Sequence, residues 1–172
     1  MTSAMERYLQ LLEPGNWSDV QAHLPTLFEA ARGNVLELGV RAGISTTALL
    51  AGVEAHGGHV WSVDKDDCSA VWAGHPQWTF VQADSLDPFA IPVLYFGYDL
   101  LFIDTEHTEE RTLAELHRHG RHVKRGGLIM LHDTDDMSTY PGVRNAMAAY
   151  CQDCNLTPLF YPGSYGLGVI RC

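Results

Sequence analysis

The chain has 172 residues, of which 46% are hydrophobic and 19% charged, and its formal net charge is -10 at pH 7. A chain of this length can bury roughly 70% of its unfolded surface, so it needs no metal or disulfide to hold it together. The negative charge opposes nucleic-acid phosphates and anionic lipid, which argues against both as partners.

The four cysteines are too few and too irregularly spaced for a disulfide framework, which favours a reducing, cytoplasmic compartment. We interpret the isolated pair Cys151 and Cys154 as helix-end thiols. No apolar run of roughly 18 residues predicts a membrane span. Residues 1–12 contain charged side chains and do not predict a signal peptide.

Two helices are expected first in the chain, over residues 5–12 and 17–32, where they could cover a ligand-binding edge. Short apolar runs follow, and most of them lead into an acidic residue. They span residues 34–38, 59–63, 78–81, 98–103 and 127–131. Stretches of helical composition, such as residues 45–53 and 108–123, separate them. Because strands that are apolar throughout are buried on both faces, the alternation predicts a parallel, doubly wound α/β sheet.

The last third of the sequence predicts a different arrangement. Residues 143–151 fit a helix, and residues 156–161 and 165–170 fit two strands joined at a turn of Pro162 and Gly163. Strands joined so closely pair antiparallel, because a parallel return needs a crossover of roughly a dozen residues. The sheet is therefore expected to end antiparallel.

No internal repeat, low-complexity tract or linker divides the sequence. We therefore expect a single domain over residues 1–172. A helical cap would span residues 1–32, and an α/β core with helices on both faces of its sheet would span residues 33–172.

The turn after the first strand carries the most specific local pattern. Glycines at positions 39 and 43 permit a tight turn and a close approach of backbone to a ligand, and the helix that follows offers free N–H groups to an anion. The dinucleotide fingerprint G-x-G-x-x-G and the P-loop sequence G-K-[ST] are both missing. The turn thus excludes two kinds of nucleotide site without naming its own ligand.

Acidic side chains stand at the ends of the second and third strands. Asp64 is placed to accept hydrogen bonds from the ribose hydroxyls of a nucleoside, although Asp is also a favoured helix N-cap. Asp84 and Ser85 could meet an adenine amino group, or Asp84 could cap the next helix. With Gly39 and Gly43, the ribose interpretation of Asp64 is favoured.

These segments resemble class I S-adenosylmethionine-dependent methyltransferases. The residues that carry the resemblance are Glu37-Leu38-Gly39, Gly43, Ser45-Thr46, Asp64, the stretch 102–107 and the stretch 126–133. The sequence is more narrowly similar to small-molecule O-methyltransferases, which include sugar methyltransferases and cephalosporin-hydroxylase-like proteins, and residues 165–170 are similar to their final strand. The resemblance covers about residues 34–170 and implies a Rossmann-like sheet.

The resemblance also implies where S-adenosylmethionine binds. Glu37 and Gly39 would contact its methionine moiety, Ser45 or Thr46 its carboxylate, and Asp64 its ribose. The other residues expected to bind the cofactor are Arg41, Gly43, Asp84, Ser85 and Asp104.

A divalent metal is implied as well. In metal-dependent relatives, an aspartate ending the fourth strand and an acidic pair after the fifth hold Mg²⁺; Asp104 and Asp133 match, but His132 replaces one acid of the pair. Mg²⁺ prefers oxygen ligands, so Asp135 or Asp136 could substitute. A softer divalent ion could instead bind through His132, or no metal binds.

Three residues are candidates for catalysis. Glu106 stands where related sugar methyltransferases carry an acidic general base, and its neighbour His107 has the more convenient unperturbed pKa. The acidic residues 106–110 would also suit the first turn of a helix, where the helix dipole favours negative charge. His132 lies at the carboxyl end of a strand, where ligands bind in such sheets.

The remaining histidines, including His23 and His119, are expected on the surface, and Trp17 is expected to pack against the core. We expect an S-adenosylmethionine-dependent methyltransferase acting on a small hydroxylated acceptor, assisted by a divalent metal. The alternatives are a metal-independent N- or O-methyltransferase and a non-catalytic cofactor-binding module. Residues 1–32 and 135–142 would set acceptor specificity, and so short a chain could use a second copy to close its pocket.

Overall fold

The computed structural model describes residues 3–89, 97–135 and 141–172. One seven-stranded sheet forms its centre. The strands are β1 (Gly33–Leu38), β2 (Gly58–Asp64), β3 (Trp78–Gln82), β4 (Tyr98–Ile103), β5 (Val123–His132), β6 (Pro158–Tyr161) and β7 (Leu167–Arg171). The α-helices are α1 (Ala4–Leu11), α2 (Leu24–Ala30), α3 (Ile44–His56), α4 (Glu109–His119) and α5 (Pro141–Cys154). Among the described residues, no helix has the length and apolar character needed to cross a membrane.

The strand order is β3-β2-β1-β4-β5-β7-β6. Strands β1 to β5 pair in parallel, while β7 pairs antiparallel with β5 and β6 pairs antiparallel with β7. The doubly wound sheet with an antiparallel end is therefore confirmed. The order reverses between β1 and β4, and ligands of such folds bind outside the carboxyl ends of the strands at that point.

The two faces of the sheet bury separate apolar clusters, because successive side chains of a strand point to opposite faces. On one face, Val35 of β1 and Leu49 of α3 belong to a single buried cluster. On the other face, Leu36 of β1 lies in a second cluster with Leu116 of α4 and Met147 of α5. Helices thus cover both faces, as the apolar strands predicted.

A continuous helix over residues 17–32 was a wrong expectation. The segment contains a short 3₁₀ turn, Gln21–His23, and α2 begins only at Leu24. Pro25 stands in the first turn of α2, where a missing N–H is tolerated, whereas a helix running through it would lose a hydrogen bond. Both α1 and α2 pack on α3, so the connecting residues 17–20, not the helices, reach the strand ends.

The turn between β1 and α3 needs its glycines. Gly39 has φ +93°, and a Cβ there would lie 2.0 Å from the carbonyl oxygen of Asp104 at the end of β4. Gly43 has φ +74°, and a Cβ there would lie 2.2 Å from the Val71 side chain. A side chain at either position would clash with these atoms and strain the backbone, so both positions require glycine. At Gly39 the turn backbone lies directly against the end of β4.

Three side chains lie elsewhere than expected. His23 is 3% exposed, with Nε2 2.7 Å from the carbonyl oxygen of Gly163, and His119 is fully buried, with Nε2 2.7 Å from the carbonyl oxygen of Ser85. A hydrogen bond to a backbone carbonyl offsets the cost of burying an imidazole. Such a partner comes from a distant part of the chain, so the sequence alone does not reveal it. Conversely, Trp17 is 80% exposed.

Candidate active site

Three adjoining cavities open at the carboxyl ends of the central strands. The β2 cavity, beside Asp64, has a volume of about 220 Å³. The β5 cavity, beside Asp133, has a volume of about 500 Å³, and the turn cavity, beside Ser45, has a volume of about 270 Å³. All three are bordered by Val40, Arg41 and Asp104. The cavities therefore meet at the switch between β1 and β4.

Asp64 joins the end of β2 to the glycine turn. Its Oδ2 accepts hydrogen bonds from the N–H groups of Val40, at 2.8 Å, and Arg41, at 3.1 Å. Its Oδ1 accepts one from the N–H of Asp66, at 2.9 Å. Burial acts to raise the pKa of Asp64, but these hydrogen bonds outweigh it and the pKa is lowered. An ionised carboxylate therefore faces the β2 cavity, where it can accept a further hydrogen bond from a ribose hydroxyl.

Glu37 lies behind the glycine turn and is fully buried. Its carboxylate accepts hydrogen bonds from the hydroxyls of Ser45, Thr46 and Ser62, at 2.7, 2.8 and 2.6 Å. Burial raises the pKa of Glu37 to about 7, even though the three hydroxyl groups stabilise its charged form.

The expected contacts of Glu37 with the methionine moiety, and of Ser45 or Thr46 with its carboxylate, stay predictions. In this structure the Glu37 carboxylate and the Thr46 hydroxyl contact each other. Neither residue borders the three cavities, and Ser45 borders the turn cavity while its hydroxyl points back to Glu37. Glu37 has the same strand parity as Val35, so its side chain points under α3. These residues fix the shape of the turn from behind.

Arg41 stands at the rim of all three cavities. It has φ +51°, an uncommon conformation for a residue with a side chain, and its guanidinium forms an ion pair with Asp19 at 2.8 Å. The Arg41 side chain is 86% exposed. The pair joins the glycine turn to the segment that precedes α2.

Two aspartates and two histidines meet where β4 and β5 end. His107 Nε2 lies 2.8 Å from Asp133 Oδ2 and 4.0 Å from Asp104 Oδ1. His132 Nδ1 lies 3.0 Å from Asp133 Oδ2 and 3.5 Å from Asp104 Oδ1. Asp133 has φ +60°, which turns its carboxylate back toward the cavity side of β4 and β5. We call these four residues the acid–imidazole cluster.

Charges in this cluster stabilise one another. Hydrogen bonds to Asp104 and Asp133 raise the pKa of His107 to about 9. Burial acts to lower the pKa of His132, but the same two carboxylates outweigh it and raise the pKa to about 10. Burial acts to raise the pKa values of Asp104 and Asp133, and the imidazoles reverse this and lower both. The two imidazoles and the two carboxylates therefore favour the charged forms of one another.

Asp104, His107 and Asp133 each offer a ligand atom, and these atoms lie within 4.8 Å of one another. Such a set of two carboxylates and one imidazole suits a divalent cation. His107, expected as a base, thus lies with Asp104 and Asp133 in a set where the sequence suggested His132, and the metal ligands themselves stay a prediction.

His132 lies behind this set. Its Nε2 is 2.8 Å from the carbonyl oxygen of Ser164, which can only accept, so Nε2 carries the hydrogen. Asp135, a suggested substitute ligand, forms an ion pair with Arg144 at 3.4 Å, and Asp136 lies outside the described residues.

Glu106 does not face the acid–imidazole cluster. It borders the β2 cavity and forms an ion pair with Lys65 at 3.7 Å, and its side chain is 55% exposed. His107 and Asp133 border the β5 cavity instead. The structure therefore separates the two residues, Glu106 and His107, that the sequence offered as alternative bases.

Asp84 also lies away from the cavities, because Arg111 holds its carboxylate with contacts of 2.6 and 3.2 Å. Ser85 and Arg111 border the β2 cavity, and Glu115 lies behind them. Sequence reasoning missed Arg111 and Glu115. Their only sequence signal is the spacing of four residues on α4, which brings them to one helix face.

The turn at residues 163–165 forms one wall of the β5 cavity. Ser164 and Tyr165 both have positive φ, +42° and +62°, and Tyr165 borders the cavity with its ring 45% exposed. The N-terminal segment holds this turn from outside: His23 contacts the Gly163 carbonyl, and the N–H of Ala22 donates to Ser164 Oγ at 3.1 Å.

The chain matches the family described as "Methyltransferase domain" over residues 36–134. No curated protein matches its sequence. Among solved structures, it resembles the O-methyltransferase of Bacillus cereus in complex with S-adenosylhomocysteine, with 18% identity, 98% of this chain and 90% of that chain covered, and a TM-score of 0.64. The TDP-rhamnose 3′-O-methyltransferase of calicheamicin biosynthesis is 16% identical, with coverages of 98% and 92% and a TM-score of 0.64.

A third solved structure is MycE methyltransferase from the mycinamycin pathway, in complex with Mg, S-adenosylhomocysteine and mycinamycin VI. It is 16% identical, with 98% of this chain and 53% of that chain covered and a TM-score of 0.64. At these identities the three structures establish a shared fold.

The glycine turn, the strand-end acid and the antiparallel tail define an S-adenosylmethionine-dependent methyltransferase. The chain belongs to the methyltransferase-domain family, whose match spans more than half of its length.

Proposed function

We propose that this enzyme transfers the methyl group of S-adenosylmethionine to a hydroxyl of a small acceptor, with the help of a divalent cation. The observation that carries the proposal is the acid–imidazole cluster in the wall of the β5 cavity, next to the cavity that suits the cofactor. The similar structures named for O-methyl transfer, one of them with Mg, support it.

The adenosine of the cofactor is placed in the β2 cavity. Asp64 would accept a hydrogen bond from a ribose hydroxyl. Gly39 borders the same cavity, and its lack of a side chain lets the turn backbone lie against the carbonyl group of Asp104. Residues that border the turn cavity would hold the methionine moiety, and Asp104, which borders all three cavities, would lie beside it. When bound, the cofactor supplies an electrophilic sulfonium methyl group.

A divalent cation fits Asp104, His107 and Asp133, because the two ionised carboxylates lie within reach of one imidazole nitrogen. The imidazole also admits ions softer than Mg²⁺. When bound, such a cation lowers the pKa of an acceptor hydroxyl that touches it. The Nε2–H of His132 donates to the Ser164 carbonyl, which orients the ring behind the two carboxylates.

The metal-free alternative assigns His107 as general base. Hydrogen bonds to Asp104 and Asp133 raise the pKa of His107 to about 9, which disfavours the neutral imidazole that a general base needs at neutral pH. The same argument applies to His132, with a pKa of about 10. A cation that replaces the imidazolium proton removes this difficulty, so we favour metal assistance.

We also propose that the N-terminal segment and the 163–165 turn select the acceptor. Trp17 and Asp19 border the β5 cavity on one side and Tyr165 borders it as well. Exposed aromatic rings beside a polar cavity suit an acceptor that has an apolar face as well as hydroxyls.

Calorimetric titration tests the proposal in two steps. S-Adenosylhomocysteine should bind first, and Mn²⁺ binding is then measured by electron paramagnetic resonance on wild-type protein, Asp133→Asn and Asp135→Asn. Removing a ligand should weaken Mn²⁺ binding about 10-fold or more. Asp135→Asn removes a nearby exposed carboxylate outside the set and should change little.

Turnover is then followed as S-adenosylhomocysteine release over a panel of catechols and deoxysugar glycosides, with and without chelator. Activity that survives chelator and Asp133→Asn would refute metal assistance. Failure of the wild-type protein to bind S-adenosylhomocysteine would refute the cofactor placement.

A further inference from the structure

We propose that Arg111 recognises the adenine base by donating a hydrogen bond to one of its ring nitrogens, and that Glu115 fixes the guanidinium for this task. The inference rests on the proposed placement of adenosine in the β2 cavity. It names a donor at the adenine end of that cavity, where the sequence had suggested the carboxylate of Asp84.

Arg111 lies on α4 and borders the β2 cavity together with Asp64 and Ser85. Its side chain is only 23% exposed, unlike Lys65 on the same cavity, which is 72% exposed. The cavity thus has a ribose acceptor at the end of β2 and a half-buried cation supplied by α4.

The guanidinium is held on three sides. Nε donates to Glu115 Oε1 at 3.2 Å, and Nη2 donates to Asp84 Oδ1 at 2.6 Å and to Ser85 Oγ at 2.8 Å. Nη1 donates to Asp84 Oδ2 at 3.2 Å. These contacts use every N–H of the guanidinium except one on Nη1, which has no acceptor among the described residues.

Glu115 makes this arrangement rigid. It is fully buried, and its carboxylate also accepts hydrogen bonds from the hydroxyls of Ser85 and Thr105, the latter at 2.7 Å. Burial raises the pKa of the Glu115 carboxyl, because an apolar environment disfavours its charge. A buried ion pair is a poor way to gain stability, since apolar residues in its place are often as stable. Its value is in orienting Arg111 at the cavity wall.

Adenine presents ring nitrogens that accept hydrogen bonds and an amino group that donates. Asp84 does not border the β2 cavity, and its carboxylate accepts hydrogen bonds from Arg111 and from the N–H of Leu86, at 2.7 Å. Arginine can only donate, so the β2 cavity selects a base by its acceptor nitrogens.

The test measures binding of S-adenosylhomocysteine and its 1-deaza, 3-deaza and 7-deaza analogues, each of which lacks one ring nitrogen. Wild-type protein should bind one analogue about 10-fold more weakly than the parent compound, because a hydrogen bond from a charged donor is lost. In Arg111→Met that difference should disappear. Lys65→Met, which removes an exposed cation at the same cavity, should keep it.

Equal binding of the parent and all three analogues by the wild-type protein would overturn the inference, as would an unchanged preference in Arg111→Met. If Arg111→Met does not fold, Arg111→Lys provides the same comparison, because it keeps the positive charge but loses the planar guanidinium. The difference in affinity between the parent compound and the analogue should again disappear. If wild-type protein does not bind S-adenosylhomocysteine at all, the proposed cofactor placement itself fails.

Discussion

Glu37 is a buried acid whose only described partners are hydroxyl groups, and its charge should therefore cost stability at high pH. The unfolded chain releases this proton near pH 4.5, whereas the folded chain holds it until about pH 7. The folded state thus binds more protons in this window, and stability falls as pH rises through it. Glu37→Gln keeps the size and hydrogen-bonding ability of the side chain without the titration.

The expected size of the effect follows from the two pKa values. Since each tenfold difference in proton affinity corresponds to about 1.4 kcal/mol, the full penalty is about 3.5 kcal/mol, and about 2.5 kcal/mol of it develops between about pH 5 and pH 8.5. Urea unfolding at both pH values gives the free energy of unfolding of wild-type protein and Glu37→Gln. Subtracting the free energy of unfolding of one protein from that of the other removes the contribution of groups far from Glu37, because those groups titrate alike in both proteins.

The stability of Glu37→Gln relative to wild type should rise by about 2.5 kcal/mol between the two pH values. A difference that stays constant with pH would refute the argument, because it would show that the three hydroxyl groups fully compensate the buried charge. A difference of opposite sign would mean that the folded protein prefers ionised Glu37.

Further predictions concern the turn, a buried histidine and the acceptor wall. Gly39→Ala should destabilise the protein by more than about 1 kcal/mol and abolish binding of S-adenosylhomocysteine. Gly57→Ala, with φ +84° but open space around it, should leave binding intact. Equal binding by both variants would contradict the proposed role of the glycine turn in cofactor binding. Burial lowers the pKa of His119 to about 4, so the free energy of unfolding should fall as pH drops from about 6.5 to 4. In urea unfolding, His119→Gln should reduce that fall by up to about 3 kcal/mol. A fall of the same size in the variant would show that His119 is not buried as the neutral imidazole. Acceptor binding should change the fluorescence of exposed Trp17, and a full response in Trp17→Phe would place the acceptor elsewhere.

The sheet and its antiparallel end followed from the sequence because apolar runs and a short connection restrict topology strongly. The glycine turn could also be predicted from the sequence, since only glycine at position 39 permits the close approach of this backbone to the backbone of Asp104. The direction of side chains was not accessible. Neither the direction of the Glu37 side chain nor the grouping of His107 with Asp104 and Asp133 can be seen without the tertiary contacts that orient these residues.

The network at Arg111 and Glu115 was missed for a different reason. Its members come from α4 and from the end of β3, and only folding brings Arg111 next to Asp84 and Ser85. Single-domain organisation, a cytoplasmic location and self-association stay predictions.

Two parts of the chain that are far apart in sequence meet at the 163–165 turn. His23 and Ala22 contact Gly163 and Ser164, about 140 positions away in sequence, while the β2 cavity is bordered by residues at the ends of β1 and β2 and on α4. A change at His23 or Ala22 therefore acts on this turn, which contains Tyr165 of the β5 cavity, from a position far away in the chain.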